Sequence, residues 1–209
     1  MRIALLALLA LSRVEGLCVQ ADKWEKEIAA LEAKPNVGDI LFIGSSTIRL
    51  WDVEKHLPGL KINNRGFGGS QIADSVRYAD RILIPLKPKT VLLFAGGNDL
   101  NAGKSPEQVF EDYKAFVKKV RDALPETRVL YMSVFPNLKR AEQLEKTKAL
   151  NALVAAYAKG DAKLGYVDVA AALCPDGQPR AEVLRDDKLH LNEDGYAIIS
   201  KVVRDALTK

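Results

Sequence analysis

The sequence predicts an α/β protein, built as a three-layer α/β/α sandwich around a five-stranded parallel sheet. Five short apolar runs alternate along the chain with segments whose apolar residues have helical spacing. That alternation is typical of parallel strands joined by helices that cover both faces of the sheet. The chain has 209 residues, 48% of them hydrophobic, which is enough for one α/β domain with a sizeable core.

Each predicted strand is an apolar run closed by glycine or by a polar turn. In chain order the five strands span residues 39–43, 61–64, 90–95, 128–134 and 165–169. Each predicted helix repeats apolar residues every three or four positions. In chain order the helices span residues 22–34, 72–83, 109–120, 144–158 and 196–207. Ser105 is a suitable cap, and Pro106 a suitable first-turn residue, for the third of these helices.

The first 21 residues are predicted to be a signal peptide rather than part of the fold. Arg2 precedes an apolar run, residues 3–11, that is too short to anchor the chain in a bilayer. Small residues around Ala21 provide a cleavage site, and the alternative is a buried N-terminal helix. Cys18 suggests a lipoprotein signal, but the bulky Leu17 before it fits that signal poorly. We therefore expect an exported, periplasmic or extracellular protein with a single domain at residues 22–209.

Composition and charge exclude several classes of function. The formal net charge is +4, and basic side chains are interspersed with acidic ones, so no stripe that follows a phosphate backbone is present. We therefore expect no nucleic-acid partner, and no membrane span once the signal is removed. The chain has two histidines and two cysteines, and they form no cluster of metal ligands. We expect neither a metal nor another cofactor.

The end of the first predicted strand could carry a nucleophile. Ligands of such sheets bind beyond the carboxyl ends of the strands. Here Gly44 allows a sharp turn, followed by Ser45 and Ser46. A serine held rigidly at such a turn is suited to nucleophilic attack. The alternative is that these hydroxyls simply cap a helix.

The ends of the second and third predicted strands could stabilise negative charge. Gly69 could offer its backbone N–H to an oxyanion, or could belong to a flexible turn before a helix capped by Ser70. Asn98 follows two glycines and could donate its amide hydrogens, or could lie in an ordinary turn. Each of these motifs is weak by itself.

The C-terminal region supplies a candidate base. Asp187 precedes His190 by three residues, in a loop before a helix that Asn192 would cap. An aspartate at this spacing can accept the Nδ1 proton and leave Nε2 free to take a proton from serine. The alternative is an exposed histidine in a solvated turn. The other histidine, His56, lies in a segment that we interpret as a surface loop.

Taken together and in this order, the four segments resemble the SGNH hydrolases, also called the GDSL lipase/esterase family. The resemblance extends from Asp39 to the final helix and implies a flavodoxin-like fold and a serine esterase that works through an acyl-enzyme. It also implies a site of five residues: Ser46 as nucleophile, His190 as base, Asp187 as the residue orienting that base, and an oxyanion hole formed by Ser46, Gly69 and Asn98.

The first block departs from the family pattern. That block usually reads Gly-Asp-Ser in the family, whereas this chain has Gly44, Ser45 and Ser46. The missing Asp is not a triad member, and Ser46 is the second residue after Gly44, as the family's nucleophile is. The α/β-hydrolase turn, Gly-x-Ser-x-Gly, is excluded because Ile48 occupies its last glycine position.

The predicted substrate is a small-molecule or glycan ester with a short acyl group such as acetyl, because no lid insertion or long apolar loop is visible. Two alternatives have the same fold: a catalytically silent glycan-binding domain and an O-acyltransferase that acts on sugar hydroxyls. A third alternative, Cys174 as nucleophile, is disfavoured by the turn residues that follow it. Four side chains are candidates for the pocket rim, although aromatic residues more often pack in a core: Trp51, Phe67, Phe135 and Asn137.

Overall fold

A computed structural model describes residues 23–208, so the predicted signal peptide and Cys18 lie outside the described residues. Within this part, five strands form one parallel sheet in the order β2-β1-β3-β4-β5. The strands are β1 (Ile40–Gly44), β2 (Ile62–Gly66), β3 (Thr90–Phe94), β4 (Arg128–Met132) and β5 (Leu164–Val167). The predicted five-stranded parallel sheet is confirmed.

Helices connect the strands and cover the sheet. The α-helices of the described residues are α1 (Glu25–Glu32), α2 (Ser46–Arg49), α3 (Val53–His56), α4 (Ile72–Ile82), α5 (Gly97–Asn101), α6 (Pro106–Ala123), α7 (Leu144–Ala158), α8 (Val169–Leu173) and α9 (Glu193–Leu207). Ser105 caps α6 as predicted, because its Oγ accepts a hydrogen bond from the Gln108 N–H. The four shortest helices, α2, α3, α5 and α8, were not predicted.

The sheet is buried on both faces, which explains why β1, β3 and β4 are almost entirely apolar. In β3, Val91 and Leu93 contact one apolar cluster, which includes residues of α1, α4, α6 and α7. Leu92 and Phe94 contact a second cluster, built largely from α8, α9 and the segment around α2. Successive side chains of a strand point to opposite faces, so one strand contributes to both layers. The three-layer sandwich is therefore confirmed.

The strand order places a crevice between β1 and β3. The chain moves from β1 outward to β2, then crosses back to β3 on the other side of β1 and continues outward to β5. A parallel sheet opens a crevice where the direction of winding reverses, at the carboxyl ends of the two central strands. The residues that follow β1 and β3 therefore face the same crevice. No helix among residues 23–208 is both long and apolar enough to cross a membrane.

Candidate active site

The turn after β1 requires glycine and presents Ser46 to the crevice. Gly44 has φ +134°, and a Cβ atom there would lie 1.9 Å from the carbonyl oxygen of Phe94. That close approach allows the Ser45 N–H to donate to the same carbonyl at 2.9 Å, which ties the turn to β3. Ser46 is then the first residue of α2. The predicted sharp turn before the serine is confirmed.

Ser46, His190 and Asp187 form a continuous chain of hydrogen bonds. Ser46 Oγ lies 2.9 Å from His190 Nε2, and His190 Nδ1 lies 2.5 Å from Asp187 Oδ2. A carboxylate can only accept, so Nδ1 carries the proton and donates it to Asp187. Nε2 of the neutral ring is then the acceptor for the Ser46 hydroxyl. In this geometry a histidine oriented by a carboxylate could activate the serine hydroxyl.

The loop that carries Asp187 and His190 is closed by its own hydrogen bonds. Asp187 Oδ1 accepts the backbone N–H groups of Leu189 and His190 at 3.0 and 2.9 Å. Burial alone would raise the pKa of Asp187, but the hydrogen bonds from the His190 ring and from these two N–H groups outweigh it, so the pKa lies well below its usual range. Asp187 is therefore an ionised acceptor at neutral pH.

Asn98 lies at the opposite wall of the crevice, directly after β3. Its Nδ2 donates to the backbone carbonyl of Ser70 at 2.9 Å, which joins α5 to the loop after β2. Gly69 is the neighbouring residue in that loop and has φ +74°, the left-handed conformation predicted for it. The alternative for this loop, a helix capped by Ser70, is not observed, because Ser70 Oγ donates to the Phe67 carbonyl and Gln71 caps α4.

Two backbone N–H groups near the crevice have no acceptor among the described residues. The N–H groups of Ser46 and Gly69 donate to no atom of residues 23–208. Ser46 is the first residue of α2, and the first N–H groups of a helix lack intrahelical partners and are suited to bind negative charge. Asn98 also keeps one amide hydrogen in addition to the one directed at Ser70. Ser46 and Asn98 line one pocket, whereas Gly69 lies outside its lining.

A pocket of about 40 Å³ adjoins Ser46 and His190. Its apolar wall includes Phe94 and Phe135, which stack with ring centroids 5.5 Å apart. Phe135 and Asn137 line it, as predicted. Trp51 and Phe67 do not line it, and each is buried in one of the two cores. A larger groove of about 410 Å³ lies between α7 and α8, but none of the five candidate site residues lines it.

The structure contradicts the interpretation of His56 and confirms that of Cys174. His56 does not lie in a surface loop: it ends α3, its side chain is only 8% exposed, and its ring packs on Tyr196. The turn after Cys174 is confirmed by a hydrogen bond from the Gly177 N–H to the Cys174 carbonyl. Burial also raises the pKa of the Cys174 thiol, which is unfavourable for a nucleophile.

Asp99 and Arg140 surround Asn98 and were not identified from the sequence. Both carboxylate oxygens of Asp99 accept the Ile72 N–H, at 3.2 and 3.3 Å, and Lys104 Nζ lies 3.2 Å from one of them. Asp99 thus fixes the start of α4 relative to α5. The sequence shows that Asp99 follows Asn98, but it does not show that Asp99 binds the buried N–H of Ile72, 27 positions away.

We expect Asp99→Ala to lower the free energy of unfolding by about 1–3 kcal/mol, because it leaves the buried Ile72 N–H without an acceptor. Urea denaturation followed by circular dichroism measures this. Asp80→Ala is the matched control: it removes an exposed ion pair with Lys119 and should cost less than about 1 kcal/mol. Equal losses for the two variants would contradict the role assigned to Asp99.

The chain matches known hydrolases in sequence and structure. The model of the GDSL-like Lipase/Acylhydrolase family matches residues 51–198, a segment that contains Gly69, Asn98, Asp187 and His190 and begins after Ser46. A human relative, platelet-activating factor acetylhydrolase IB subunit alpha1, is 26% identical over 184 residues, which cover 85% of this chain and 79% of that protein.

Solved structures show the same fold. A Streptococcus pneumonia protein named for platelet activating factor is 25% identical with a TM-score of 0.78, covering 87% of this chain and 90% of that one. A GDSL-like lipase from Bacteroides thetaiotaomicron is 21% identical with a TM-score of 0.72, covering 88% and 95%. Because the family model matches well over half of the sequence, this chain belongs to the GDSL-like lipase/acylhydrolase family and is an ester-cleaving hydrolase.

Proposed function

We propose that the protein is a serine esterase that uses Ser46 as nucleophile, His190 as general base and Asp187 to orient that base. The observation that carries the proposal is the hydrogen-bonded chain from Ser46 Oγ through the His190 ring to Asp187, located where the crevice between β1 and β3 opens. A histidine held at this distance from a serine hydroxyl can remove its proton as the oxygen attacks.

The reaction follows two steps of acyl transfer. Ser46 Oγ attacks the ester carbonyl while His190 Nε2 takes its proton, and the tetrahedral intermediate collapses when His190 returns that proton to the leaving alcohol. Water then attacks the acyl-enzyme with His190 again as base, and the acid is released with Ser46 restored. Asp187 stabilises the positively charged ring that forms in each step.

Three donors support the oxyanion in this proposal: the N–H groups of Ser46 and Gly69 and the free amide hydrogen of Asn98. The two N–H groups have no acceptor among residues 23–208, so a ligand oxygen would not compete with the protein for them. Donors fixed before the reaction cost no reorganisation when the charge develops.

The pocket size favours a short acyl group, such as acetyl, esterified to a carbohydrate or small alcohol. A single water needs about 10–15 Å³ of cavity space. The pocket of about 40 Å³ beside Ser46 therefore accepts a few heavy atoms before it meets the Phe94 and Phe135 rings. The human relative is named as an acetylhydrolase, which supports the same acyl group.

We expect kcat/KM on p-nitrophenyl esters to be highest for acetate and to fall by about tenfold or more at octanoate, because a longer chain would displace buried aromatic rings. Initial rates on acetyl, butyryl and octanoyl esters measure this, with acetylated sugars as a second series. Phe135→Ala is the informative variant, since it enlarges the pocket and should raise the octanoate rate relative to acetate. Equal or higher efficiency on octanoate in the unmodified protein would contradict the short-acyl proposal.

A fluorophosphonate probe tests the nucleophile independently of the acyl group. Mass spectrometry of the labelled protein should place the adduct on Ser46. An adduct on Ser45, or none on an active protein, would contradict the assignment.

A further inference from the structure

Arg140 occupies the wall of the Ser46 pocket and contacts Asn98. It lies in the segment between β4 and α7, where Asn137 Oδ1 accepts the Arg140 backbone N–H at 3.0 Å. The same segment is joined to the His190 loop, since the Lys139 N–H donates to the Lys188 carbonyl at 3.0 Å. The backbone that carries Arg140 is thus joined to the loop of His190.

The Arg140 guanidinium makes two hydrogen bonds to the turn after β3. Nη1 donates to the Gly97 carbonyl and Nη2 to Asn98 Oδ1, each at 3.1 Å. A rigid guanidinium that reaches two acceptors on adjacent residues fixes the position of that turn, which an ammonium group could not do in the same way.

These contacts leave the Asn98 amide a single orientation. The Ser70 carbonyl can only accept, so it must face Nδ2, and the Arg140 guanidinium can only donate, so it must face Oδ1. A rotated amide would bring Oδ1 against the carbonyl oxygen and the NH₂ group against the guanidinium. With Oδ1 and one Nδ2 hydrogen engaged, the second Nδ2 hydrogen is the one left for a ligand.

The charge of Arg140 is not neutralised locally. Arg140 forms no ion pair with a carboxylate of residues 23–208, and burial lowers its pKa more than the charge of Glu142 raises it. Guanidinium nevertheless stays protonated in proteins. A half-buried cation bonded to Oδ1 polarises the amide and strengthens its N–H as a donor.

We propose that Arg140 is the positioning residue of the oxyanion hole: it fixes the Asn98 amide with one hydrogen available to the reacting carbonyl and increases the donor strength of that hydrogen. The inference rests on the proposed esterase function. Arg140 acts through Asn98 and needs no contact with the substrate, so its effect should appear in the rate of the chemical step and disappear when Asn98 is removed.

A double-mutant cycle on p-nitrophenyl acetate tests this. We expect Asn98→Ala to lower kcat by about 10²–10³-fold, the usual loss for one oxyanion donor. Arg140→Met should lower kcat by about tenfold or more with KM changed by less than about threefold, because only transition-state stabilisation is lost. The double variant should be no more than about twofold slower than Asn98→Ala, since residues that act as a unit are not additive.

Arg128→Met is the matched control, because Arg128 is also half-buried and donates to a backbone carbonyl, that of Ala206, at the amino ends of the strands and so away from the site. It should keep the wild-type kcat. Thermal unfolding verifies that each variant folds, and Arg140→Gln, which keeps an N–H donor without the charge, replaces the Met variant if that one unfolds.

The two proposals fail in different ways. A wild-type protein that neither cleaves acetyl esters nor reacts with the fluorophosphonate would overturn the esterase function itself. An active wild type in which Arg140→Met slows the Asn98→Ala protein by the same factor as it slows the wild type would overturn only the role of Arg140. Wild-type kcat in a folded Arg140→Met protein would overturn it equally.

Discussion

Ser46→Ala is expected to lower kcat/KM on p-nitrophenyl acetate by about 10⁴–10⁶-fold, the loss typical of removing a serine nucleophile. The physical reason is that the hydroxyl 2.9 Å from His190 Nε2 is the atom that would form the acyl-enzyme, and no other side chain of residues 23–208 is hydrogen-bonded to that nitrogen. Pre-steady-state kinetics test whether the acyl-enzyme forms on Ser46, because the burst of p-nitrophenol that accompanies its formation should vanish in Ser46→Ala.

Ser45→Ala is the matched control for this prediction. Ser45 is the neighbouring hydroxyl and lines the same pocket, but its side chain makes no capping hydrogen bond to α2. The variant should therefore fold and retain activity within about threefold of wild type, as expected for a residue outside the reacting chain. The assignment would be reversed if Ser45→Ala lost the burst and Ser46→Ala kept it.

Asp187→Asn is expected to lower kcat by about 10⁴-fold while the protein stays folded. The carboxylate accepts the Nδ1 proton of His190 at 2.5 Å. An amide can turn its NH₂ group toward Nδ1, and Nε2 would then carry the proton and could no longer accept one from Ser46. Steady-state kinetics give kcat, and the ¹H NMR signal of the proton between Asp187 and His190 should be lost.

Asp186→Asn removes the same charge from the same loop and serves as the control. Asp186 is exposed, and the contacts to the His190 ring come from Asp187 and Ser46. Its effect should stay within about twofold, which separates orientation of the ring from a general loss of negative charge near the site. A loss of similar size in both variants would show that charge, rather than the tautomer, matters.

Much of the fold could be predicted because the sheet is buried on both faces. A strand such as Thr90–Phe94 must be apolar at every position that faces a helix layer, and it therefore stands out as a continuous run. α7 was predicted with its observed bounds, residues 144–158, a long segment without glycine or proline. Short helices such as α2 and α3 have four residues each, about one helical turn, so their apolar residues cannot show a repeating helical spacing.

The candidate site could be predicted where local chemistry is unusual. Gly44 before two serines, and Asp187 three residues before a histidine, are patterns that a turn or a loop brings together without help from the rest of the fold. The burial of His56, Trp51 and Phe67 could not be predicted in the same way. The residue type alone does not show whether an aromatic side chain lies in a surface loop, at a pocket rim or in a core, because such residues occur in all three.

The sequence alone determined the alternation of strands and helices, the glycine turn that presents Ser46, and the spacing that lets Asp187 accept the His190 proton. These features depend on contacts between residues close in the chain. Only the tertiary structure decided that Ser46 and His190 meet across 144 positions, that Asn98 reaches the Ser70 carbonyl, and that Arg140 fixes the amide from the other side. Strand order and loop packing create those contacts, and neither is encoded in any one segment.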